Sequence, residues 1–432
     1  MGDLAQSVIL MGGLLLLLSM GVWVGLVLIA CGLVALAFFS GAPAGILFAT
    51  KSWDASASWA LTALPLFIWM GEILYRTRLA EDMFQGLGPW VRWLPGRLTH
   101  VNVVGCGIFA AVSGSSAATA ATIGRISLPE LESRGYDKRI AIGSLAGAGT
   151  LGLLIPPSIV MIVYAVAAQV SIIRMFIAGI LPGILLMALF SGYIGLWSLR
   201  YPDRIPQDNE DVSLKEKLYR LRLLLPVVAL IAAVIGSIYA GIATATEAAA
   251  VGVFGSLAIA AFGRSLTWSS FVDSLLGATR TSAMICFILM GAAYLTSAMS
   301  FTGLPANLAQ WISSMNLSTY ALIAVLTVFF IMLGAFLDGI SIVVLTTSIL
   351  LPTVLAAGID PIWFGIYLIL TVEMAQITPP IGFNLFVIQG ITGENMWRLA
   401  VMAFPFFMLL VAATALITVF PEIVMVLPDA MR

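Results

Sequence analysis

Two proline pairs interrupt long apolar stretches of the chain. One lies in GTLGLLIPPS at 149–158 and the other in EMAQITPPIG at 373–382. Proline removes a backbone donor and collides with the preceding helical turn, so each pair ends a helix inside an apolar run. In a bilayer, the freed backbone groups are tolerated only where protein buries them or a hydrated cavity receives them. The pattern predicts two broken helices whose ends bind ions, with carbonyls for a small cation and N–H groups for a carboxylate.

Two further interruptions carry small and hydroxyl residues. They are SGSSAATAATIG at 113–124 and LDGIS at 337–341, and each fits the tip of a helical hairpin. We expect the four interruptions to meet near the centre of the bilayer. The candidate sodium positions are Ser113, Gly114, Ser115, Gly149, Gly152, Asp338, Gly339, Ser341, Thr378, Pro379 and Gly382. The candidate substrate positions are Ser115, Ser116, Thr119, Pro156, Ser158 and Asn384.

The chemistry of these positions favours Na⁺ over a proton. Most supply neutral oxygens, whereas a proton carrier would more often show several Asp, Glu or His residues at membrane depth. Asp338 is compatible both with ion coordination and with capping a half helix. The serines are also compatible with close helix packing alone. Glu373, inside an apolar run, fits either a functional or a hydrogen-bonded structural role.

The amino-acid composition indicates the class of protein. The 432 residues are 61% hydrophobic and 9% charged, with a net charge of −1. Recurrent apolar runs long enough to span a bilayer indicate a polytopic helical membrane protein rather than a strand barrel. The charge balance suggests no nucleic acid partner, and the three cysteines are expected to be small buried hydrophobes. The segment 8–18 is expected to be a retained membrane helix, Glu247 a helix cap, and His100 a surface or interface residue.

An internal repeat divides the chain. Several prolines and glycines recur 223 residues apart, namely Pro129 and Pro352, Gly135 and Gly358, Pro156 and Pro379, Pro157 and Pro380, and Pro182 and Pro405. We therefore predict a first repeat over 1–199, a polar linker over 200–222 and a second repeat over 223–432. Each repeat is expected to hold two apolar helices, a spanning helix, an interfacial amphipathic arm (79–96 and 303–315), a re-entrant hairpin, a broken helix and a closing helix.

The repeats are predicted to have opposite orientations in the membrane. Because a re-entrant hairpin returns to its own side, each repeat crosses five times, an odd number. Lys and Arg accumulate on the cytoplasmic side of membrane proteins, and no Lys or Arg occurs between 281 and 397. This distribution predicts that both termini are periplasmic.

The motifs that bound the interruptions carry a family resemblance. SGSSAATAATIG, GTLGLLIPPS, GIATATEAAAVG (241–252), LDG and ITPPIGFNLF together resemble the large membrane subunit of tripartite ATP-independent periplasmic (TRAP) transporters over essentially the whole chain. The resemblance implies a Na⁺-driven, elevator-type importer of carboxylates or related anions in the bacterial inner membrane. It also implies a small four-helix membrane subunit and a periplasmic substrate-binding protein. Thr119 stands where many members carry Asp, so the resemblance does not name the substrate.

Three other functions compete with a binding-protein-dependent importer. A stand-alone Na⁺- or H⁺-coupled anion transporter would have a similar architecture. An intramembrane enzyme using Ser115 would need a general base nearby, which His100 at the membrane edge does not supply. A structural anchor would not explain paired interruptions at membrane depth. The expected cofactors are none, with Na⁺ as the coupling ion.

Overall fold

The computed structural model describes residues 3–206, 213–303, 318–334, 337–380 and 382–431, together with the single residues 307, 310 and 315. Every regular element among these residues is a helix. The second predicted arm, 303–315, and part of the linker, 207–212, lie largely or wholly outside the described residues.

The first part of the chain forms ten α-helices. They are α1 (Asp3–Ser19), α2 (Val24–Phe39), α3 (Ala44–Ser56), α4 (Ala63–Tyr75), α5 (Leu79–Val91), α6 (His100–Ser113), α7 (Ser116–Ser133), α8 (Lys138–Thr150), α9 (Ile159–Ala167) and α10 (Ile172–Arg200). Short 3-10 turns occupy Trp59–Thr62, Arg97–Thr99, Leu151–Leu153 and Pro202–Arg204. The pair α6–α7 is hereafter the first hairpin, and α8–α9 is the first broken helix.

The rest of the chain has a similar order after a linker helix, with the single long helix Trp268–Thr302 where the first part has α3 and α4. The described elements are α11 (Leu214–Leu221), α12 (Leu225–Tyr239), α13 (Ala245–Phe262), α14 (Trp268–Thr302), α15 (Thr319–Gly334), α16 (Gly339–Ala356), α17 (Pro361–Gln376), α18 (Phe383–Thr392), α19 (Met396–Val419) and α20 (Glu422–Ala430). The pair α15–α16 is the second hairpin, and α17–α18 is the second broken helix.

Local sequence explains where the central helices begin. Asp137 caps α8 by accepting from the N–H of Arg139, and Asp360 caps α17 by accepting from the N–H groups of Ile362 and Trp363. Such side chains satisfy donors that the first helical turn leaves free. Glu247 completes a capping box with Thr244 at the start of α13, which confirms the predicted cap.

Five described helices are long and apolar enough to cross a membrane, or up to seven if each of two bent pairs is one span. The five are Ile172–Arg200, Ala245–Phe262, Trp268–Thr302, Gly339–Ala356 and Met396–Val419. The chain is therefore a multi-pass membrane protein, as its composition predicts.

Helices from the two parts of the chain pack together in matching pairs. α2 packs against α14 and α4 against α13; α7 packs against α18 and α9 against α16; α8 packs against α19 and α10 against α17. Small residues permit these approaches: a Cβ added to Gly291 would lie 2.7 Å from the carbonyl oxygen of Gly25. One buried apolar core consequently draws on both halves.

The structure differs from the predictions at several points. His100 was expected at a surface or interface, but it is 2% exposed, and its Nε2 lies 2.7 Å from the Pro95 carbonyl oxygen. The exposed helix α3 and the terminal helix α20 were not predicted. Cys31 and Cys106 are buried as expected, whereas Cys286 is only partly buried.

Candidate functional site

The tip of the first hairpin is built from hydroxyls and a glycine. α6 ends at Ser113, Gly114 takes a left-handed conformation with φ of +59°, and Ser115 caps α7 through a 3.4 Å bond from the N–H of Ala118. The hydroxyls of Ser113 and Thr119 lie 2.8 Å apart, and Thr119 donates to the Ser115 carbonyl oxygen at 2.7 Å. These bonds hold the tip in one shape and use part of its hydrogen-bonding capacity.

The first broken helix lies directly against this tip. A Cβ on Gly152 would be 2.5 Å from the Ser115 carbonyl oxygen, and the N–H of Ile159 donates to the Gly114 carbonyl oxygen at 3.3 Å. Pro156 is buried in the break, where the Pro156–Pro157 peptide bond is cis. Ser158, which is 0% exposed, precedes α9, and its hydroxyl has no hydrogen-bond partner among the described residues. Glycine is required here because a side chain would displace the hairpin tip.

The second broken helix reaches the same tip from the other half of the chain. The Ser116 hydroxyl contacts the side-chain oxygen of Gln376 and lies 2.6 Å from that of Asn384. All three side chains are less than one-tenth exposed. Nδ2 of Asn384 has no partner among the described residues, and it lies 3.6 Å from the position of a Cβ built on Gly149. In either orientation of the amide, one polar atom of Asn384 is thus left for a ligand.

The tip of the second hairpin has a different character. Asp338 is exposed and caps α16, with its Oδ2 accepting from the N–H groups of Ile340 and Ser341 at 3.1 and 3.3 Å. The Ser341 hydroxyl donates to Oδ1 of the same carboxylate. The expected cap is confirmed, and ion coordination by Asp338 stays a prediction. A Cβ on Gly339 would lie 3.0 Å from Nε2 of Gln376, so the second tip also reaches the Gln376 side chain.

The loop of the second break turns tightly. Thr378 donates its hydroxyl proton to the Met374 carbonyl oxygen at 2.6 Å, and the N–H of Gly382 donates to the Thr378 carbonyl oxygen at 3.0 Å. Gly382 has no room for a side chain, since its Cβ would lie 2.9 Å from the Thr378 carbonyl oxygen. Pro379 is partly exposed, its bond to Pro380 is cis, and Ile381 lies outside the described residues. The Thr378 carbonyl group is therefore fixed inside the loop.

All four interruptions are thus neighbours, as predicted, and Gln376 joins three of them. Its side chain contacts the first tip at Ser116, lies against the second tip at Gly339 and belongs to the second break. We did not single out this side chain in the sequence. Its position as the last residue before the break was the available signal.

Glu373 lies one turn before Gln376 and is 0% exposed. Neither carboxyl oxygen has a hydrogen-bond partner in the part of the chain that the structure describes. Thr150 lies beside the carboxyl, but its hydroxyl donates to the Gly147 carbonyl oxygen at 2.8 Å. The two roles predicted for Glu373 therefore stay open.

Comparison with known protein families identifies the family of this chain. A family model described as "Tripartite ATP-independent periplasmic transporter, DctM component" matches residues 11–423. The chain belongs to this DctM family. Membership confirms the resemblance read from the motifs, and it implies a small membrane subunit and a periplasmic binding protein as partners. The similar proteins are transporter permease subunits rather than enzymes.

Several DctM relatives are similar over most of the chain. The C4-dicarboxylate TRAP transporter large permease protein of Pseudomonas aeruginosa is 32% identical, covering 88% of this chain and 89% of its own. The sialic acid TRAP transporter large permease protein of Vibrio cholerae is 30% identical, with 86% and 87% covered. The isethionate TRAP transporter permease protein of Oleidesulfovibrio alaskensis is 33% identical over 85% of this chain and 58% of its own.

A solved structure shares the fold. The chain resembles the Alcanivorax borkumensis YdaH transporter with a TM-score of 0.66, covering 95% of this chain and 98% of that one. Sequence identity is only 13%, so the likeness describes the helical architecture alone.

Proposed function

We propose that this DctM-family chain is the transport subunit of a Na⁺-coupled importer that moves a carboxylate-type organic anion across the bacterial inner membrane. The observation that carries the proposal is the meeting of four chain interruptions around Ser116, Gln376 and Asn384. Transporters bind substrate and ions at such discontinuous helices because their ends offer unpaired backbone groups.

Sodium fits the oxygens of the two hairpin tips and the two breaks. The sodium positions given above supply hydroxyl and main-chain oxygens, and Asp338 adds one carboxylate. A hard cation of single charge is satisfied by such a set without several carboxylates. Asp338 is exposed, so its carboxylate is not covered by other parts of the described chain.

The anion fits the buried donors beside the first tip. The Ser158 hydroxyl and one polar atom of the Asn384 amide have no partner among the described residues, although both side chains are 0% exposed. Buried polar atoms of this kind are costly unless a ligand or water completes them. The relatives named for C4-dicarboxylates and sialic acid concern carboxylates, and the one named for isethionate concerns a sulfonate, so all three support an organic anion as the substrate here.

The two halves, 1–199 and 223–432, are proposed to be inverted repeats. Equivalent positions take equivalent local structures: Ser115 and Asp338 both cap a hairpin arm, and Asp137 and Asp360 both cap a broken helix. The reciprocal packing of α7 on α18 and α9 on α16 is what exchange of the two halves would produce. With the distribution of Lys and Arg, this arrangement supports two periplasmic termini.

Transport is proposed to follow an elevator mechanism. The hairpins and broken helices pack on one another and form the mobile unit, whereas α2, α4, α13 and α14 pack together as the scaffold. Gly71 of α4 marks their boundary, because a Cβ there would lie 3.0 Å from the Ser113 carbonyl oxygen.

Uptake into proteoliposomes tests the proposal. The chain would be reconstituted with its small subunit, with and without the periplasmic binding protein, and supplied with labelled succinate, N-acetylneuraminate or isethionate. We expect uptake of at least one of these anions under an inward Na⁺ gradient and none with K⁺ in its place. Uptake that needs no binding protein would favour the stand-alone alternative. Uptake driven equally by a proton gradient without Na⁺ would contradict sodium coupling.

A further inference from the structure

A cleft of about 720 Å³ opens at one end of the spanning helices, away from the four interruptions. It lies between the beginning of α8, the end of α10 and the beginning of α19. Two arginines and two tryptophans line its mouth: Arg139, Trp197, Trp397 and Arg398. Trp197 lies near the end of one helix that can cross the bilayer, and Trp397 and Arg398 lie at the beginning of another, which is where lipid headgroups lie. Arg139 lies beside them at the beginning of α8.

The charges of the mouth are predominantly positive. Arg139 is exposed and has no ion-pair partner among the described residues. Arg398 pairs only loosely with Glu394, at 3.7 Å, and its side chain is 75% exposed. An exposed pair of this length contributes little, so the guanidinium group can turn to a stronger anion. Two guanidinium groups at one opening suit a phosphate, which arginine binds through paired N–H groups.

The wall behind the mouth is apolar. It is formed by Ile140, Val401, Met402 and Phe406. The rings of Tyr193 and Phe406 make an edge-to-face contact with a centroid distance of 5.3 Å. Val401 is 73% exposed on this wall, so the wall is open to the hydrocarbon of the bilayer. A hydrocarbon chain would cover this wall while its headgroup met the two arginines, whereas a small soluble anion would leave it bare.

We propose that this cleft binds an anionic phospholipid, with the headgroup phosphate between Arg139 and Arg398 and an acyl chain along Val401 and Met402. Basic pockets between membrane helices recognise such headgroups. The indole rings of Trp197 and Trp397 have the amphipathic character of residues that lie at the headgroup level. Since α8 belongs to the first broken helix, the lipid would bear directly on an element of the candidate site.

Native mass spectrometry of the purified chain in detergent tests the proposal. The probes are dioleoyl phosphatidylglycerol and, as the zwitterionic control, dioleoyl phosphatidylcholine. We expect the wild-type chain to retain phosphatidylglycerol at least several-fold better than phosphatidylcholine. R139Q/R398Q should lower that retention about 25-fold, because each basic residue at a lipid surface corresponds to about fivefold in affinity. The matched control R264Q/R280Q removes two exposed arginines elsewhere and should retain lipid like the wild type.

A second variant should raise lipid retention instead of lowering it. E394Q removes the carboxylate that competes for Arg398 and should raise phosphatidylglycerol retention about two- to fivefold. Because it leaves both arginines in place, it keeps the proposal testable even if R139Q/R398Q fails to fold. Equal retention of the two lipids by the wild type, or no change in either variant, would overturn the proposal. Retention of sn-glycerol 3-phosphate as strong as that of the lipid would also overturn it, by showing a soluble-anion site.

Discussion

The two hairpin tips occupy equivalent positions in the two halves but differ in charge and exposure. Ser115 caps the first tip and Asp338 the second, 223 residues further on. The first tip is neutral, largely buried and bonded to the opposite half through Ser116. In the second tip Asp338 is exposed and anionic, whereas Gly339 and Ser341 are buried, and the hydrogen bonds of Asp338 stay within the tip. The comparison suggests a rigid frame on one side of the site and a cation-attracting entrance on the other.

The largest effect is expected from crowding the first tip. Gly152→Ala would place a methyl group 2.5 Å from the Ser115 carbonyl oxygen, which neither backbone can accept without moving. Overpacking of this kind costs about 1–3 kcal/mol or more, and we expect uptake to fall below the detection limit. Gly390→Ala is the matched control, because nothing lies within 4 Å of its Cβ position. It should gain about 0.5–1 kcal/mol of helix stability and transport normally. Normal uptake by Gly152→Ala would show that the first tip is not a rigid frame.

The next effect concerns the bond between the halves. Ser116→Ala removes the hydroxyl shared by Gln376 and Asn384 and leaves their buried amides short of a partner, at a cost of about 1–3 kcal/mol. We expect about tenfold slower uptake and a lower melting temperature. Ser133→Ala, at the exposed end of the same helix, is the control, since its hydroxyl only contacts the Glu130 carbonyl oxygen. Identical uptake and melting temperature in the two variants would contradict a role for the Ser116 hydroxyl in joining the two halves.

Removing the charge of Asp338 should change the sodium dependence of uptake, a property that distinguishes the second tip from the first. Asparagine is as good a helix cap as aspartate, so Asp338→Asn preserves α16 while removing the carboxylate charge. We expect the Na⁺ concentration for half-maximal uptake to rise about tenfold, equivalent to about 1.4 kcal/mol, with little change in melting temperature. Asp360→Asn makes the same chemical change at a cap of α17. The Na⁺ dependence should stay at the wild-type value there, and an equal shift in both variants would contradict a sodium role for Asp338.

The smallest effect is expected at the cap of the first tip. The Ser115 hydroxyl accepts a bond of 3.4 Å, near the limit for a hydrogen bond. Ser115→Ala should therefore cost only about 0.5–1 kcal/mol of stability, and uptake should fall a few-fold, because the main-chain oxygens of the tip stay in place. The measurement is the Na⁺ dependence of uptake by Ser115→Ala, compared with that of Asp338→Asn. A shift as large as that of Asp338→Asn would remove the distinction between the two tips.

Much of the site could be predicted because its parts are local. Proline pairs end helices wherever they occur, and serine and aspartate cap helices through their own neighbours, so the breaks and the two tips could be read from short stretches. His100 was placed wrongly because a charged neighbourhood in the sequence does not decide whether a side chain is exposed. The turn before α6 brings its Nε2 to 2.7 Å from the Pro95 carbonyl oxygen, and the side chain is 2% exposed.

The sequence alone determined that this is a helical membrane protein with a repeated, interrupted unit, because apolar length and helix-ending residues act over one or two turns of chain. Only the tertiary structure decided that Ser116 meets Asn384 across 268 residues, that Gln376 joins the tips and that Arg139 and Arg398 share a cleft. Such contacts depend on how whole helices pack, and side-chain packing between distant segments has no signature in either segment alone.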